Sequence, residues 1–327
     1  MHYGYPTRKS SYPAAFPAKP NPSSFIQALR RIRKRSLAVI TVAVFFLFWL
    51  VAKLLGRNSI DSDAALPIFT KAPAGSPNVV IVTTLGADAP LNEALKRNRM
   101  NYAAKHGYAT FFPLMTDYPV GDSPLTWSKV PAVRHAMTKF PKTPFFFYVD
   151  ERTIITNPTL SVEKHITDKA RLESLMISDI PVVPPDSVIK TFGNIKGDKI
   201  DLILTQDKEG LSQGSWIVRR GEWAKFMLDA WFDPLYRSYN FQKAERHALE
   251  HIVQWHGTLL AKIALIPQNL LNSYTEKDHQ LAGENGMWRD GDFMVSFPDC
   301  GESPRSCKEE MDPFFRKTTE ASASVDV

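Results

Sequence analysis

Short runs of β-branched and aromatic residues alternate with helical patterns between residues 78 and 150, and this alternation limits the chain to few folds. The runs at 78–83, 108–112 and 145–149 are mainly apolar, as in strands that are buried on both faces. Helical patterns occupy 90–106 and 127–140 between these runs. Strands that alternate with helices form a parallel sheet wrapped by helices. The sequence therefore predicts an α/β fold with a mainly parallel central sheet.

The same kinds of pattern continue further along the chain. Strands are predicted at 200–204 and 215–218, and helices at 222–231 and 244–255, and a further apolar run lies near 263–266. We therefore expect one α/β domain over residues 78–307. The polar residues that follow, 308–327, are predicted to form a flexible tail.

A basic segment followed by a long apolar run lies near the N-terminus. Five Arg or Lys residues occur within 30–35, and residues 37–55 form an apolar run whose only charged residue is Lys53. A helix of this length spans about 28 Å, close to the thickness of the bilayer core. Because basic flanks stay in the cytosol, the pattern predicts a single-pass type II signal anchor. A cleaved signal peptide is the alternative, but its basic region would begin unusually late.

The anchor divides the rest of the chain. Residues 1–36 are predicted to be a disordered basic cytosolic tail, and residues 56–77 a luminal stem before the folded domain. Ten of the 40 Lys and Arg residues lie in 1–57, which contain no Asp or Glu. The remaining residues are more acidic than basic, so the net charge of +6 does not indicate a nucleic-acid partner. The short span suits a thin early-secretory membrane.

The chain has two cysteines, and both follow the predicted anchor. Disulfides form in the oxidising lumen of the secretory pathway. Cys300 and Cys307 could therefore form one bridge that closes a small loop, and two free thiols are the alternative.

Two motifs carry charged or metal-binding side chains. The run at 145–149 ends in Asp150, Glu151 and Arg152, and open parallel sheets bind ligands at the carboxyl ends of their strands. An ordinary polar strand exit is the alternative. His247 and His251 with Glu250 match an H-x-x-E-H zinc pattern, although short matches occur by chance and no further ligand is apparent.

Seven segments in the predicted domain carry a family resemblance, and they occur in the family's order. They lie at 101–108, 127–137, 145–158, 206–214, 228–236, 267–274 and 291–300. Together they resemble the Golgi galactosyl/mannosyltransferase family. This family includes fungal α-1,2-galactosyltransferases, subunits of the fungal α-1,6-mannan polymerase and plant xyloglucan xylosyltransferases.

The resemblance implies a retaining glycosyltransferase of the GT-A-like type, a nucleotide-sugar donor (GDP-mannose or UDP-galactose) and a Mn²⁺ ion. In the family an Asp-x-Asp motif and a distant His hold the metal, and here these positions are Asp150, Arg152 and Ser296. Asp150 is thus the only metal ligand that matches. The usual Glu-Gln-Asp-Ala start of a later helix is Glu245, Arg246, His247 and Ala248.

The altered metal positions leave two interpretations open. Arg152 could replace the metal, because a guanidinium offers a diphosphate both charge and paired hydrogen bonds. Alternatively, the chain has lost turnover and serves as a non-catalytic subunit beside active relatives.

Other donor-binding and catalytic candidates come from the resembling segments. Lys129 could reach the donor phosphates, or it is a solvated lysine at a helix start. Gln206 and Asp207 follow a strand near the position of the sugar in family members, whereas Asp207 could instead form a turn before Gly210. Gly214 is predicted to lie in a tight loop against the donor.

These features predict a Golgi membrane protein with a luminal glycosyltransferase-type domain. We expect a role in mannan or galactomannan outer-chain synthesis as a subunit of an α-1,6-mannosyltransferase complex, with a glycan acceptor and other mannosyltransferase subunits as partners. A non-enzymatic scaffold that holds partner transferases is the second hypothesis. A zinc hydrolase built on His247 and His251 is the third.

Overall fold

The computed structural model describes residues 42–47, 49–50, 71–239 and 241–323, with side chains up to residue 318. Residues 42–47 and 49–50 are helical. The remainder of the predicted anchor, the whole predicted tail 1–36 and residues 56–70 of the predicted stem lie outside these ranges. Among the helices that the structure does describe, none is both long enough and apolar enough to cross a membrane.

A six-stranded sheet forms the centre of the unit that contains residues 71–323. Its strands, in spatial order, are β2 (Ala109–Phe111), β1 (Val79–Val82), β3 (Phe145–Val149), β6 (Gly210–Arg219), β5 (Leu202–Asp207) and β7 (Ile263–Leu265). The pairs β1–β2, β1–β3 and β5–β7 are parallel. Strand β6 is antiparallel to both of its neighbours. The sheet is therefore mainly parallel, as predicted, with an antiparallel strand that the sequence analysis did not foresee.

A two-stranded sheet joins the turn after β3 to a distant part of the chain. Strands β4 (Thr153–Ile155) and β8 (Met294–Ser296) pair antiparallel, with Thr153 opposite Ser296. This pairing places Ser296 beside the segment that begins at Asp150, although the two are far apart in sequence.

Eight α-helices between residues 71 and 323 surround the sheets. They are α1 (Ala89–His106), α2 (Lys129–Lys139), α3 (Lys169–Leu175), α4 (Glu222–Trp231), α5 (Pro234–Ser238), α6 (Ala244–Trp255), α7 (Gly257–Leu260) and α8 (Cys307–Ala323). Helix α1 shows why the boundaries fall where they do. The Asp88 side chain accepts a hydrogen bond from the N–H of Leu91, and Gly107 ends the helix in a left-handed conformation at φ 68°.

The strands of the central sheet are buried on both faces. Alternate residues of β1 contribute to two separate apolar clusters, with Val80 and Val82 in one and Val79 and Ile81 in the other. Helices α2, α4 and α6 cover the first cluster. Because both faces are packed with apolar side chains, polar groups converge at the edges of the sheet, where the strands end.

The C-terminal segment corrects one sequence-based expectation. Residues 308–327 were expected to be a flexible tail, but Cys307–Ala323 form helix α8, which packs on α1 and β4. Met311 of this helix is fully buried, and Phe314 and Phe315 pack against the same cluster. The spacing of these three residues creates an apolar stripe on one helix face, and its burial holds the helix in place.

The loop that precedes α8 is fixed by a disulfide and by ion pairs. Cys300 and Cys307 form a disulfide bond. Within this loop, Arg305 donates to both oxygens of the fully buried Asp278 at 2.6 and 3.0 Å, and to Glu310 at 2.7 and 2.9 Å. These bonds hold the loop against the body of the domain, next to the turn that follows β3.

Candidate active site

The carboxyl ends of β1, β3 and β5 lie along one edge of the central sheet. Thr83 and Thr84 follow β1, Asp150 follows β3, and Gln206 and Asp207 end β5. The backbone N–H of Asp150 donates to the carbonyl of Gly214 in the neighbouring strand β6 at 2.7 Å. The folding of three parallel strands therefore brings together most of the candidate residues that the sequence analysis selected.

The Asp150 carboxylate is held by three groups. One oxygen accepts from the backbone N–H of Arg152 at 3.1 Å, and the other accepts from the Tyr148 hydroxyl at 3.1 Å. Burial, aided by the negative charge of Asp150, raises the pKa of Tyr148 well above its ordinary value, so this hydroxyl stays protonated and donates. The third group is Lys129, whose Nζ lies 3.6 Å from Asp150.

Lys129 is a buried cation between two carboxylates. Its side chain is 8% exposed, and its Nζ lies 2.9 Å from Glu245 on helix α6. Burial alone lowers the pKa of Lys129, but the charges of Glu245 and Asp150 outweigh this effect and hold the pKa above its ordinary value. Lys129 is therefore charged, and the alternative of a solvated lysine is wrong. Its contact with donor phosphates stays a prediction.

A buried arginine supports the turn that contains Asp150. Arg99 on α1 is fully buried. Its Nη2 donates to the carbonyl of Asp150 at 2.9 Å and also to the carbonyl of Thr153. Both ends of the turn are thus held by one guanidinium, which fixes where Asp150 and Arg152 lie. Arg99 could not be found from the sequence, because a single Arg in a helix rich in polar residues gives no signal of burial.

Arg152 and Ser296, the other two positions of the family's metal site, also have partners within the protein. Arg152 Nη1 donates to the carbonyl of Pro298 at 2.7 Å, just before the disulfide loop. The hydroxyls of Ser296 and Thr153 share a hydrogen bond at 3.0 Å. Arg152 is half-buried, and a Cβ added at Gly301 in the disulfide loop would lie 4.0 Å from its Nη2.

These residues do not fit a manganese ion. Mn²⁺ prefers carboxylate oxygens and imidazole nitrogens that converge on one point. Here Asp150 is already paired with a lysine, Arg152 is a cation, and the Ser296 hydroxyl is bonded to Thr153. Across the described ranges, no group of three or more His, Cys, Asp and Glu residues is arranged to hold a metal. We therefore derive no chemical step through a metal.

The two histidines of the zinc pattern lie on a different face of helix α6 from Glu250, the third residue of that pattern. His247 and His251 share a face of α6, where both pack on the ring of Phe241. Glu250 lies on another side of the helix and accepts from the N–H of Leu211 at 2.9 Å. The three side chains do not converge, so nothing in this geometry supports a zinc hydrolase.

Asp207 is buried and fully hydrogen-bonded. It accepts from the N–H groups of Glu209 and Gly210 at 2.9 and 3.1 Å and from the Tyr274 hydroxyl at 2.7 Å, and it pairs with Arg246 of α6. Its side chain is 2% exposed. Asp207 therefore forms the turn before Gly210, as one interpretation predicted, and is also the anion of a buried ion pair.

The neighbouring candidates have structural contacts of their own. Gln206 Nε2 donates to the carbonyls of Pro181 and Val182 at 2.9 and 2.8 Å. Gly214 lies so close to Asn272 that a Cβ at this position would be 2.7 Å from the Asn272 Oδ1. The predicted tight loop is wrong at Gly214, which lies within strand β6 and there permits close packing. Its contact with a donor stays a prediction. The catalytic roles of Gln206 and Asp207 likewise stay predictions.

Glu151 is a titratable group at the same edge. Its carboxylate packs closely against Gly86, which follows β1: a Cβ added at Gly86 would lie 2.6 Å from the Glu151 Oε2. Burial, followed by the negative charge of Asp150, raises the pKa of Glu151 to about 7. Because this carboxyl keeps its proton to a higher pH when folded, the free energy of unfolding should fall as pH rises between about 4.5 and 7.

Glu151→Gln should remove this pH dependence. At pH 8 we expect the variant to be more stable than the wild type by about 1–2 kcal/mol, because it no longer buries a charge beside Asp150. The measurement is urea unfolding between pH 5 and 8. Glu284→Gln, at an exposed position, is the control and should keep the wild-type slope. Equal slopes for Glu151→Gln and the wild type would contradict the assignment.

A separate cavity of about 740 Å³ opens at the opposite edge of the sheet. It is lined by residues at the amino ends of the parallel strands, among them Asn78, Phe145 and Asp201. It contains none of the candidate residues at the ends of β3 and β5. We therefore place the candidate active site by its converging charged groups and not by cavity size.

The fold and the residues at this edge define a glycosyltransferase-type α/β domain. The chain belongs to the galactosyl transferase GMA12/MNN10 family, whose profile matches residues 75–308. The resemblance predicted from the seven segments is therefore confirmed. This family membership rests on nearly the whole described domain.

Individual relatives agree with this family. An uncharacterized alpha-1,2-galactosyltransferase of Schizosaccharomyces pombe is 30% identical over 67% of this chain and 66% of its own length. The probable alpha-1,6-mannosyltransferases MNN11 and MNN10 of Saccharomyces cerevisiae are 27% and 26% identical. The MNN11 alignment covers 74% of this chain and 62% of MNN11. The MNN10 alignment covers 87% of this chain and 83% of MNN10. The chain thus spans about two thirds of the length of several curated relatives that it matches.

The domain is also similar to a solved structure. A glycosyltransferase involved in the glycosylation of the major capsid of PBCV-1 aligns with 73% of this chain and 98% of its own length. The TM-score is 0.49 and the sequence identity is 13%.

Proposed function

We propose that this chain is a hexosyltransferase subunit that extends α-linked mannose or galactose chains from a nucleotide-sugar donor without a metal ion. The observation that carries this proposal is the arrangement at the end of β3. Asp150 is paired with the buried Lys129, and the half-buried guanidinium of Arg152 lies at the position of the family's second metal ligand. The names of the relatives, galactosyltransferases and probable mannosyltransferases, support the sugar class.

The chemistry requires a positive group at the diphosphate. In the transfer, the bond between the sugar C1 and the diphosphate oxygen breaks, and a bond from C1 to an acceptor hydroxyl oxygen forms. The hydroxyl proton is released, and negative charge grows on the departing nucleotide diphosphate. A guanidinium can stabilise this charge through two parallel hydrogen bonds. Arg152 supplies that group, with GDP-mannose or UDP-galactose as the donor.

The setting we propose is the Golgi membrane. The basic segment and the apolar run at 37–55 support a type II anchor, which would place the domain in the lumen. The disulfide between Cys300 and Cys307 fits that oxidising compartment. The likeness to MNN10 and MNN11 supports a place in an α-1,6-mannosyltransferase complex that builds mannan or galactomannan outer chains.

Donor binding and transfer by the full-length chain test this function. GDP-mannose and UDP-galactose are titrated by calorimetry, and transfer to an α-mannooligosaccharide is followed with Mn²⁺ or with EDTA. We expect binding and transfer to survive EDTA and Arg152→Ala to reduce transfer at least 100-fold. Arg134→Ala, at an exposed ion pair on α2, is the matched control. Transfer that requires Mn²⁺, or that Arg152→Ala leaves unchanged, would refute the proposal.

A non-catalytic scaffold subunit is the second candidate. It is favoured by the contacts of Gln206 and Asp207, because the Gln206 amide nitrogen and both Asp207 carboxylate oxygens are bonded within the protein. This function predicts co-purification with active transferases together with no calorimetric binding of either nucleotide sugar.

A further inference from the structure

Helix α6 has two polar faces with different surroundings. Glu245 and Arg246 point to the sheet edge, where they pair with Lys129 and Asp207. On another face, His247, His251 and Trp255 follow one another at intervals of four residues, so they form a row along the helix. This row is not used by the candidate active site.

The row is part of a larger set of six rings in mutual contact, which we call the aromatic array. The array consists of Tyr236, Tyr239, Phe241, His247, His251 and Trp255. Neighbouring ring centroids in it are between 5.6 and 6.5 Å apart. Tyr239 and Trp255 are 53% and 73% exposed, respectively. Exposed aromatic rings in contact with one another are unusual on a surface that binds nothing.

A cleft adjoins the aromatic array, and two of its lining residues, Trp127 and Ala244, are close in sequence to Lys129 and Glu245 of the candidate active site. It has a volume of about 570 Å³ and lies between residues 122–127 and the segment that joins α5 to α6. Phe241 belongs to both the cleft and the array. Asp122, Ser123 and Ser238 place polar groups on the cleft wall.

A residue beside the cleft is bonded to the active-site ion pair. Thr126, next to the cleft residue Trp127, donates to the Glu245 carboxylate at 2.9 Å. Glu245 in turn holds Lys129. Ala244, which lines the cleft, has a φ of 43°, a strained value for a residue with a side chain. This conformation fixes where α6 begins and therefore where Glu245 lies.

We propose that the aromatic array and the cleft bind the acceptor glycan, an α-linked oligosaccharide of neutral hexoses. The proposal rests on the hexosyltransferase function and adds the place where the growing chain lies. Pyranose rings have apolar C–H faces and a rim of hydroxyls. Aromatic rings cover such faces with little loss of side-chain entropy, and indole, phenol and imidazole groups bond the hydroxyls.

The continuity of these surfaces favours a glycan over a protein partner. A chain-extending transferase needs a track that leads its acceptor from the protein surface to the transferred sugar. The array and cleft offer such a track, since Phe241 belongs to both, and the cleft residues Trp127 and Ala244 stand two and one positions before Lys129 and Glu245. A docked protein would need no path into the site. All six side chains of the array are aromatic or imidazole, and five of them carry a hydrogen-bonding group.

Glycan binding by the full-length chain tests the proposal. The probe is α-1,6-mannotetraose, titrated by calorimetry and by saturation-transfer NMR, with GDP-mannose titrated in the same preparations. We expect Trp255→Ala and Tyr239→Ala to weaken tetraose binding at least tenfold while changing GDP-mannose affinity less than twofold. Phe226→Ala removes a ring that is 62% exposed on α4, outside the array, and should leave both affinities unchanged.

The outcomes separate the two proposals. If the wild type binds GDP-mannose but not the tetraose, or if Trp255→Ala binds the tetraose normally, the glycan site is wrong. If tetraose binding depends on Trp255 but no nucleotide sugar binds, the glycan site stands and the transferase function fails. If Trp255→Ala and Tyr239→Ala abolish co-purification with another transferase and the wild type binds no tetraose, the array is a protein interface and the proposal is overturned.

Discussion

Replacing Lys129 by Met should lower the free energy of unfolding by about 3–5 kcal/mol at pH 7, the usual loss when one partner of a buried ion pair is removed. The substitution keeps most of the side-chain volume but strands two carboxylates. Glu245 is 7% exposed and Asp150 is 16% exposed, so water can solvate neither of them well. Urea unfolding followed by circular dichroism measures the change.

Two further variants make this prediction specific. Lys225→Met removes the partner of the exposed Glu222 on α4 and should reduce stability by well under 1 kcal/mol. Lys129→Met combined with Glu245→Gln should recover a large part of the loss, because one of the stranded charges is then absent. A loss below 1 kcal/mol for Lys129→Met, or no recovery in the double variant, would mean that the triad of charges is not coupled as the structure indicates.

The strands and helices that could be predicted are those with an uninterrupted local pattern. Strand β3 and helices α4 and α6 have the predicted boundaries, since a full apolar run or an amphipathic repeat ends at polar residues or at Gly and Pro. Strand β6 was predicted too short. It begins at Gly210 with polar residues, and its pairing with β3 and β5, not its composition, keeps those residues in the sheet.

Elements that depend on distant pairing could not be predicted. Strands β4 and β8 have three residues each, which is too few for a periodic signal. Helix α8 has polar residues around its apolar stripe and contains Pro313, so its composition resembles that of a loose tail. Its stability comes from burying Met311 against α1 and β4, which a local pattern does not reveal.

In the candidate site, too, some residues could be located from a local sequence pattern, and others depend on contacts between distant parts of the chain. Asp150 could be placed at the sheet edge, because a polar residue after a buried strand has few other locations. The ion-pair partners of the charged residues at this edge could not be predicted from the sequence. Lys129 meets Glu245, and Arg246 meets Asp207, only after helices α2 and α6 have packed on the sheet. The segment 267–274 held a usable signal, since it resembles the family and supplies Asn272 and Tyr274 to this edge.

Replacing Arg246 by Met should also reduce stability by about 3–5 kcal/mol at pH 7. Arg246 stands where the family pattern has Gln, and its guanidinium pairs with Asp207 and lies 3.4 Å from Glu250. The two carboxylates are 2% and 7% exposed. Without the guanidinium, Asp207 keeps its bonds from Tyr274 and the turn but has no counter-charge. Burial already raises the pKa of Glu250, and the loss of Arg246 should raise it further.

The pH dependence of this variant distinguishes a buried charge pair from a packing effect. Because Glu250 titrates at a higher pH when folded in the variant than when unfolded, the folded state binds more protons. The free energy of unfolding should therefore rise as pH falls from 7 to 5, and the deficit relative to the wild type should shrink. Arg134→Met, which removes an exposed pair with Asp229, should show neither the loss nor the pH trend. A deficit of equal size at pH 5 and 7 would indicate that Arg246 acts through the packing of its methylene groups, and the electrostatic account of Asp207 would then fail.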